Sequence, residues 1–101
     1  MRIKKNIFQT IINGGKIFST PFFLFYFTKN QQAQYAIVAP KKIFKTAVKR
    51  NKYRRMGYNI LRSFPLKGNM GIFIYKKEAL FATQKEIKES VFLVLKKTES
   101  I

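Results

Sequence analysis

Lys41 to Arg55 reads KKIFKTAVKRNKYRR, eight bases in fifteen residues with no acid among them. No proline follows until Pro65, so the run can continue as a single helix, predicted over residues 46–63. At about 100° per residue, Arg50, Asn51, Arg54, Arg55 and Arg62 fall within one arc of about 140°, while Tyr53, Met56, Ile60 and Phe64 gather on the opposite side. One face is expected to dock on a sheet and the other to present guanidinium groups. Like charges at helical spacing repel one another. With no acid in the helix to relieve them, the arc is expected to be held for an anionic partner, and arginine suits a phosphate because its planar fork can grip two oxygens at once.

Upstream of this helix, Asn6 can cap a short helix over about residues 6–13, with Ile7, Phe8, Ile11 and Ile12 on one side and Gly14-Gly15 as a left-handed stop. Lys16 to Ser19 and Pro21 to Thr28 read as two strand pieces with a bend at Pro21. A polar loop follows, and Tyr35 to Ala39 reads as a third strand ended by Pro40. Downstream, Pro65, Gly68, Asn69 and Gly71 mark a loop, and Met70 to Tyr75 alternates as a fourth strand. Thr83 and Glu86 form a capping box ahead of Ile87, Val91, Val94 and Leu95. This order predicts an α+β protein, a two-layer sandwich of three helices against one mainly antiparallel or mixed sheet of about four strands. Side chains alternate along a strand, so Phe23, Phe25 and Phe27 cannot share a face with Phe22, Leu24 and Tyr26. One set must face something other than the helix layer. With no repeat and no long linker, residues 1–101 read as one domain.

The formal net charge is +17, and its distribution is uneven: all four acids (Glu78, Glu86, Glu89 and Glu99) lie after residue 77. Residues 1–77 carry 17 bases, and residues 78–101 hold four of each sign. A chain so charged repels itself unless a polyanion neutralises it. Nucleic acid is the natural candidate, because each phosphate paired with Lys or Arg releases condensed counterions. The absence of cysteine, histidine and aspartate removes the thiolate nucleophile, the commonest general base and the usual zinc ligands. Four scattered glutamates make a poor metal cage, so no catalytic residue and no protein-held metal are expected. The start, MRIKKNIF, lacks the apolar run of a signal peptide, and the longest apolar run, Phe22 to Phe27, is far below the roughly 20 residues that span a bilayer. A soluble, cytoplasmic protein is expected, with no membrane partner and no small-molecule substrate.

The run from Ala47 to Arg55, AVKRNKYRR, preceded by Lys41-Lys42, resembles the signature of the bacterial ribonuclease P protein component. In that signature a lysine pair and a short spacer lead into Ala-Val-x-Arg-Asn-Arg-x-Lys-Arg. Phe8-Gln9 ahead of Gly14, and then STPFFLFY from Ser19 to Tyr26, are similar to the family's first helix and first strands. The resemblance covers nearly the whole chain. Departures are Lys52 in place of arginine, Tyr58-Asn59 in place of Arg-Glu, Ala36 where glycine is usual, and Pro40 where serine precedes the lysine pair.

The resemblance implies a left-handed strand-helix-strand crossover, against the general right-handed preference. It also implies a role in assisting a catalytic RNA that removes the 5′ leader of precursor tRNA, with Mg²⁺ in the RNA active site. By the same comparison, Lys41, Lys42, Lys45, Lys49, Arg50, Asn51, Lys52, Arg54, Arg55 and Arg62 correspond to the contact with the catalytic RNA. Phe8, Ile12 and Tyr26 correspond to a cleft for the single-stranded leader, where aromatic faces can stack on bases. From charge and size alone, a structural RNA-binding protein of ribosomal type is the main rival, and a cationic membrane-surface protein a second.

Overall fold

The structure, a computed structural model, describes residues 11–29, 34–64 and 69–99. The expected cap at Asn6, and most of the helix it would start, lie outside the described residues. Residues 11–14 are helical and are called α1. The end of α1 differs from expectation, because no glycine among the described residues has a positive φ. The Gly15 N–H instead donates to the Ile11 carbonyl at 2.8 Å, an ordinary helical closure that needs no left-handed residue.

Four strands, β1 (Lys16–Ser19), β2 (Phe23–Lys29), β3 (Gln34–Val38) and β4 (Asn69–Tyr75), form one sheet in the order β1-β2-β4-β3. The β1–β2 and β2–β4 pairs are antiparallel and β3–β4 is parallel, so the sheet is mixed. Helix α2 (Ala47–Arg62) carries the chain from β3 to β4, the crossover that a parallel pair requires. A short 3₁₀ turn, Lys77–Phe81, for which the periodicity gives no signal, then leads to α3 (Gln84–Glu99).

The turn chemistry accounts for these boundaries. Thr20 closes the β1–β2 hairpin: its hydroxyl accepts from Phe23 N–H at 2.9 Å, and its N–H donates to the Phe23 carbonyl at 2.8 Å. Ser90 of α3 donates to the same hydroxyl at 2.8 Å and ties the hairpin to the helix layer. Thr46 caps α2 by accepting from Lys49 N–H at 3.2 Å. The expected capping box is present at α3. Thr83 N–H donates to Glu86 Oε1 at 2.9 Å, and Glu86 N–H donates to Thr83 Oγ1 at 3.2 Å.

Register resolves the two-faced strand. Phe23, Phe25 and Phe27 of β2 stand beside Tyr75, Phe73 and Gly71 of β4, with Tyr35 and Ile37 of β3 continuing the same face. This face packs with Ile60 and Leu61 of α2 and Ile87, Val91 and Val94 of α3 in the main core. Its aromatic rings interlock, with Phe25 stacked on Phe73 at 4.2 Å between centroids and Phe23 tilted against Tyr75 at 4.7 Å. Gly71 lies inside β4 rather than in the preceding loop. A Cβ there would sit 2.4 Å from the Phe25 ring, so only glycine lets the Phe25 and Tyr35 rings close over the strand. Leu24 and Tyr26 point to the other face with Ile72 and Ala36, and there only Ile72 is buried.

Candidate nucleic-acid interface

Three contacts seat α2 against the sheet. Gly57 faces β3 so closely that a Cβ would come within 2.9 Å of the Ile37 side chain. One residue on, the Tyr58 hydroxyl accepts a 3.3 Å hydrogen bond from Ile37 N–H, a donor on an edge strand that no neighbouring strand satisfies. Near the helix start, the Tyr75 hydroxyl donates to the Tyr53 carbonyl at 2.8 Å. Burial, with Tyr53 adding to it, pushes the Tyr75 phenol well above its usual range and keeps it a donor. Tyr53 in turn packs on the buried Phe44, 4.5 Å between centroids, which anchors the loop entering the helix.

These contacts decide which side chains the helix presents. Asn51, Arg54, Arg55 and Arg62 are exposed, as the helical projection predicts, and Lys52, which lies outside the projected arc, is exposed as well. Arg54 donates to the Asn51 side-chain oxygen, which draws these two groups together on the surface. Arg50 stands apart from this group. It is half-buried, and its Nη1 donates to the Phe44 carbonyl at 3.0 Å. The reason is its place at the border of the arc, on the stripe that continues through Arg54 to the buried Gly57 and Leu61. Lys41, Lys42, Lys45 and Lys49 are exposed along the turn and first helical residues beside it. That turn is closed by Ile43 and Phe44 N–H groups on the Pro40 carbonyl, at 3.1 and 2.9 Å.

The exposed ridge of α2 has a hollow on each side. Toward the edge of β3 lies an open cleft of about 530 Å³ bordered by Asn51, Arg54, Arg55, Tyr58 and Arg62, with Ala36 and Ile37 as its sheet wall. Toward α3 lies another of about 490 Å³, where Asn51 and Arg55 meet Lys52, Asn59 and Gln84. Tyr58 escapes a projection that sorts residues into cationic and apolar, although its position on the wheel falls inside the basic arc. No acid stands in α2, and among the described residues none of its arginines has a carboxylate partner.

The second expected surface is present in part. Tyr26 is half-buried on the sheet face away from the core, between Ile17 of β1, which is exposed, and Ile72 of β4. Ile12 is half-buried in α1, and Phe8 lies outside the described residues.

Fold and surface together define a small basic α+β protein that exposes an arginine-rich helix face beside a sheet edge. No helix among the described residues is long and apolar enough to cross a membrane. A family model described as Ribonuclease P matches residues 1–99. The ribonuclease P protein component of Mesomycoplasma hyopneumoniae (strain 7448) is 36% identical over 106 residues, an alignment covering 96% of this chain and 94% of that protein. Among solved structures, the RNase P protein of Thermotoga maritima superposes with a TM-score of 0.84 at 27% identity, covering 96% of both chains. That of Staphylococcus aureus gives 0.82 at 29% identity, covering 96% of this chain and 94% of the other.

The chain belongs to the bacterial ribonuclease P protein family. Its role is therefore that of the protein component of a ribonucleoprotein endoribonuclease, binding RNA in the service of precursor-tRNA processing. Family membership decides against the ribosomal-type rival, which charge and size alone leave open.

Proposed function

We propose that the exposed face of α2 docks the catalytic RNA subunit of ribonuclease P, and that the RNA cuts the 5′ leader from precursor tRNA while this chain supplies binding. The observation that carries this reading is the ridge of Asn51, Arg54, Arg55 and Arg62, exposed around a cleft with no carboxylate partner among the described residues. Lys49 and Lys52 of α2 and the preceding Lys41, Lys42 and Lys45 extend it, each a point charge for a passing phosphate. Arg50 acts here through the loop it braces. In the cytoplasmic particle the Mg²⁺ ions belong to the RNA, which has phosphate oxygens to hold them. This chain's own hard oxygen donors are few, with no aspartate and four glutamates scattered after residue 77. The opposite face of the sheet, with Tyr26, receives the single-stranded leader of the precursor, and the family pattern assigns Ile12 and Phe8 to the same contact.

Titration of the matching catalytic RNA at several salt concentrations tests the dock. Replacing Arg54 and Arg55 together by alanine should weaken binding and flatten the plot of log K against log salt by about two phosphate contacts' worth. An unchanged slope removes this face from the RNA interface.

A further inference from the structure

Inside the basic arc of α2 one residue carries no charge. Tyr58 borders the 530 Å³ cleft together with Asn51, Arg54, Arg55 and Arg62. Its hydroxyl accepts from Ile37 N–H at 3.3 Å, which sets the far end of the ring against the edge of β3. Half-burial holds the ring in place while leaving it a border of the cleft. The result is an aromatic side chain set against the sheet edge, with the guanidinium groups of Arg54, Arg55 and Arg62 bordering the same cleft. A site that gripped only a helical phosphate backbone would need no such surface, because the bases of a duplex are stacked on one another. A nucleotide turned out of a bulge, loop or junction offers both parts at once, a phosphate for the arginines and a base face for the ring. The cleft falls within the roughly 300–1,000 Å³ of sites that enclose small ligands, so one nucleotide has room in it.

We propose that the Tyr58 cleft seats a single unstacked ribonucleotide, its base against the Tyr58 ring and its phosphate on Arg55 and Arg62. This rests on the reading of α2 as an RNA dock and adds to it a distinct kind of contact. The nucleotide can come from the catalytic RNA or from the precursor tRNA, and the two are titrated separately.

A stacked base contributes roughly 1–3 kcal/mol, so Tyr58→Leu should weaken binding of the RNA that supplies the nucleotide about 5-fold to 150-fold. The salt slope should stay at the wild-type value, since no phosphate contact is lost. Tyr58→Phe keeps the ring and should stay within about 3-fold of wild type by the same stacking argument. The chain contains no tryptophan, so Tyr58→Trp supplies a single fluorophore at the site. It should bind as tightly as the native chain and be strongly quenched by that RNA. Wild-type affinity in Tyr58→Leu with both RNAs, or fluorescence of Tyr58→Trp that neither RNA changes, overturns the proposal. If the leucine variant does not fold, the phenylalanine and tryptophan variants still decide: a large loss in both, or an unquenched tryptophan, counts against a stacked base. Arg55→Ala separates this failure from failure of the dock itself, because its salt slope reads the phosphate contact whatever happens at Tyr58.

Discussion

Arg50 and Arg55 share a helix and a charge, yet the structure assigns them different work. Arg50 donates to the Phe44 carbonyl and holds the loop that enters α2, whereas Arg55 stands on the exposed ridge between two clefts. Arg50→Ala should therefore lower stability by about 1 kcal/mol, the low end for a charged donor that is only half-buried, and Arg55→Ala should leave stability within about 0.5 kcal/mol. Urea denaturation of the two variants compares them directly. Tyr75 shows a second residue-level effect, through its proton. Its buried phenol is held protonated beyond the usual range, while in the unfolded chain it ionises near pH 10. Above about pH 10 the unfolded state thus binds fewer protons than the folded one, so this contribution to stability is complete at lower pH and declines as pH rises. Urea midpoints at about pH 8 and about pH 11 should fall further apart for the native chain than for Tyr75→Phe, which has no phenol to ionise. Equal falls in the two chains would assign the alkaline loss to other groups.

At the scale of elements, what matters is how α2 is mounted. Gly57 brings the helix onto Ile37, and Tyr58 satisfies the backbone of the same residue, so the helix both covers the edge of β3 and is aligned by it. Gly57→Leu fills space that Ile37 occupies and should cost about 1–3 kcal/mol as the helix is pushed from the strand. The loss is read from the urea midpoint, and no loss would mean that α2 has slack against the sheet. The bounds of this helix were legible in the sequence to within a residue, because no proline interrupts residues 46–63 and the apolar stripe keeps one period, while the Thr46 cap that starts it is a finding of the structure. The 3₁₀ turn at Lys77–Phe81 was not, since five residues are too few to show a period. Gly71, inside the strand expected from Met70 to Tyr75, hides its packing role for a related reason. Its use inside β4 comes from two rings closing over it, Phe25 from β2 and Tyr35 from β3, and neither is near it in the chain.

Across the whole molecule, the sheet separates two surfaces. The helix layer presents the basic ridge, and Tyr26 lies on the face turned away from the core. Under the proposed function a structured RNA lies on one side and a single strand on the other. Tyr26→Ala should accordingly weaken capture of precursors with a long leader by about 1 kcal/mol or more, the scale of one stacked base, while sparing mature tRNA. Equal losses for both substrates would make Tyr26 a packing residue. Much of the candidate site was visible beforehand. The residues of the ridge follow from helical spacing, and the excess of charge from composition. The inward turn of Arg50 and the tie of Tyr58 to Ile37 were not visible in the same way, because each depends on a partner brought in by the fold.

The amino-acid sequence by itself determined the order of elements, the two faces of β2, the basic arc and the asymmetry of charge. All of these arise from neighbours a few residues apart or from simple composition. Only the tertiary structure decided the strand order β1-β2-β4-β3, the close seat of Gly57 on Ile37 and the tie from Ile37 to Tyr58, 21 residues further along the chain. Such contacts follow from strand pairing and from how a helix lies across a sheet edge, which local periodicity does not encode.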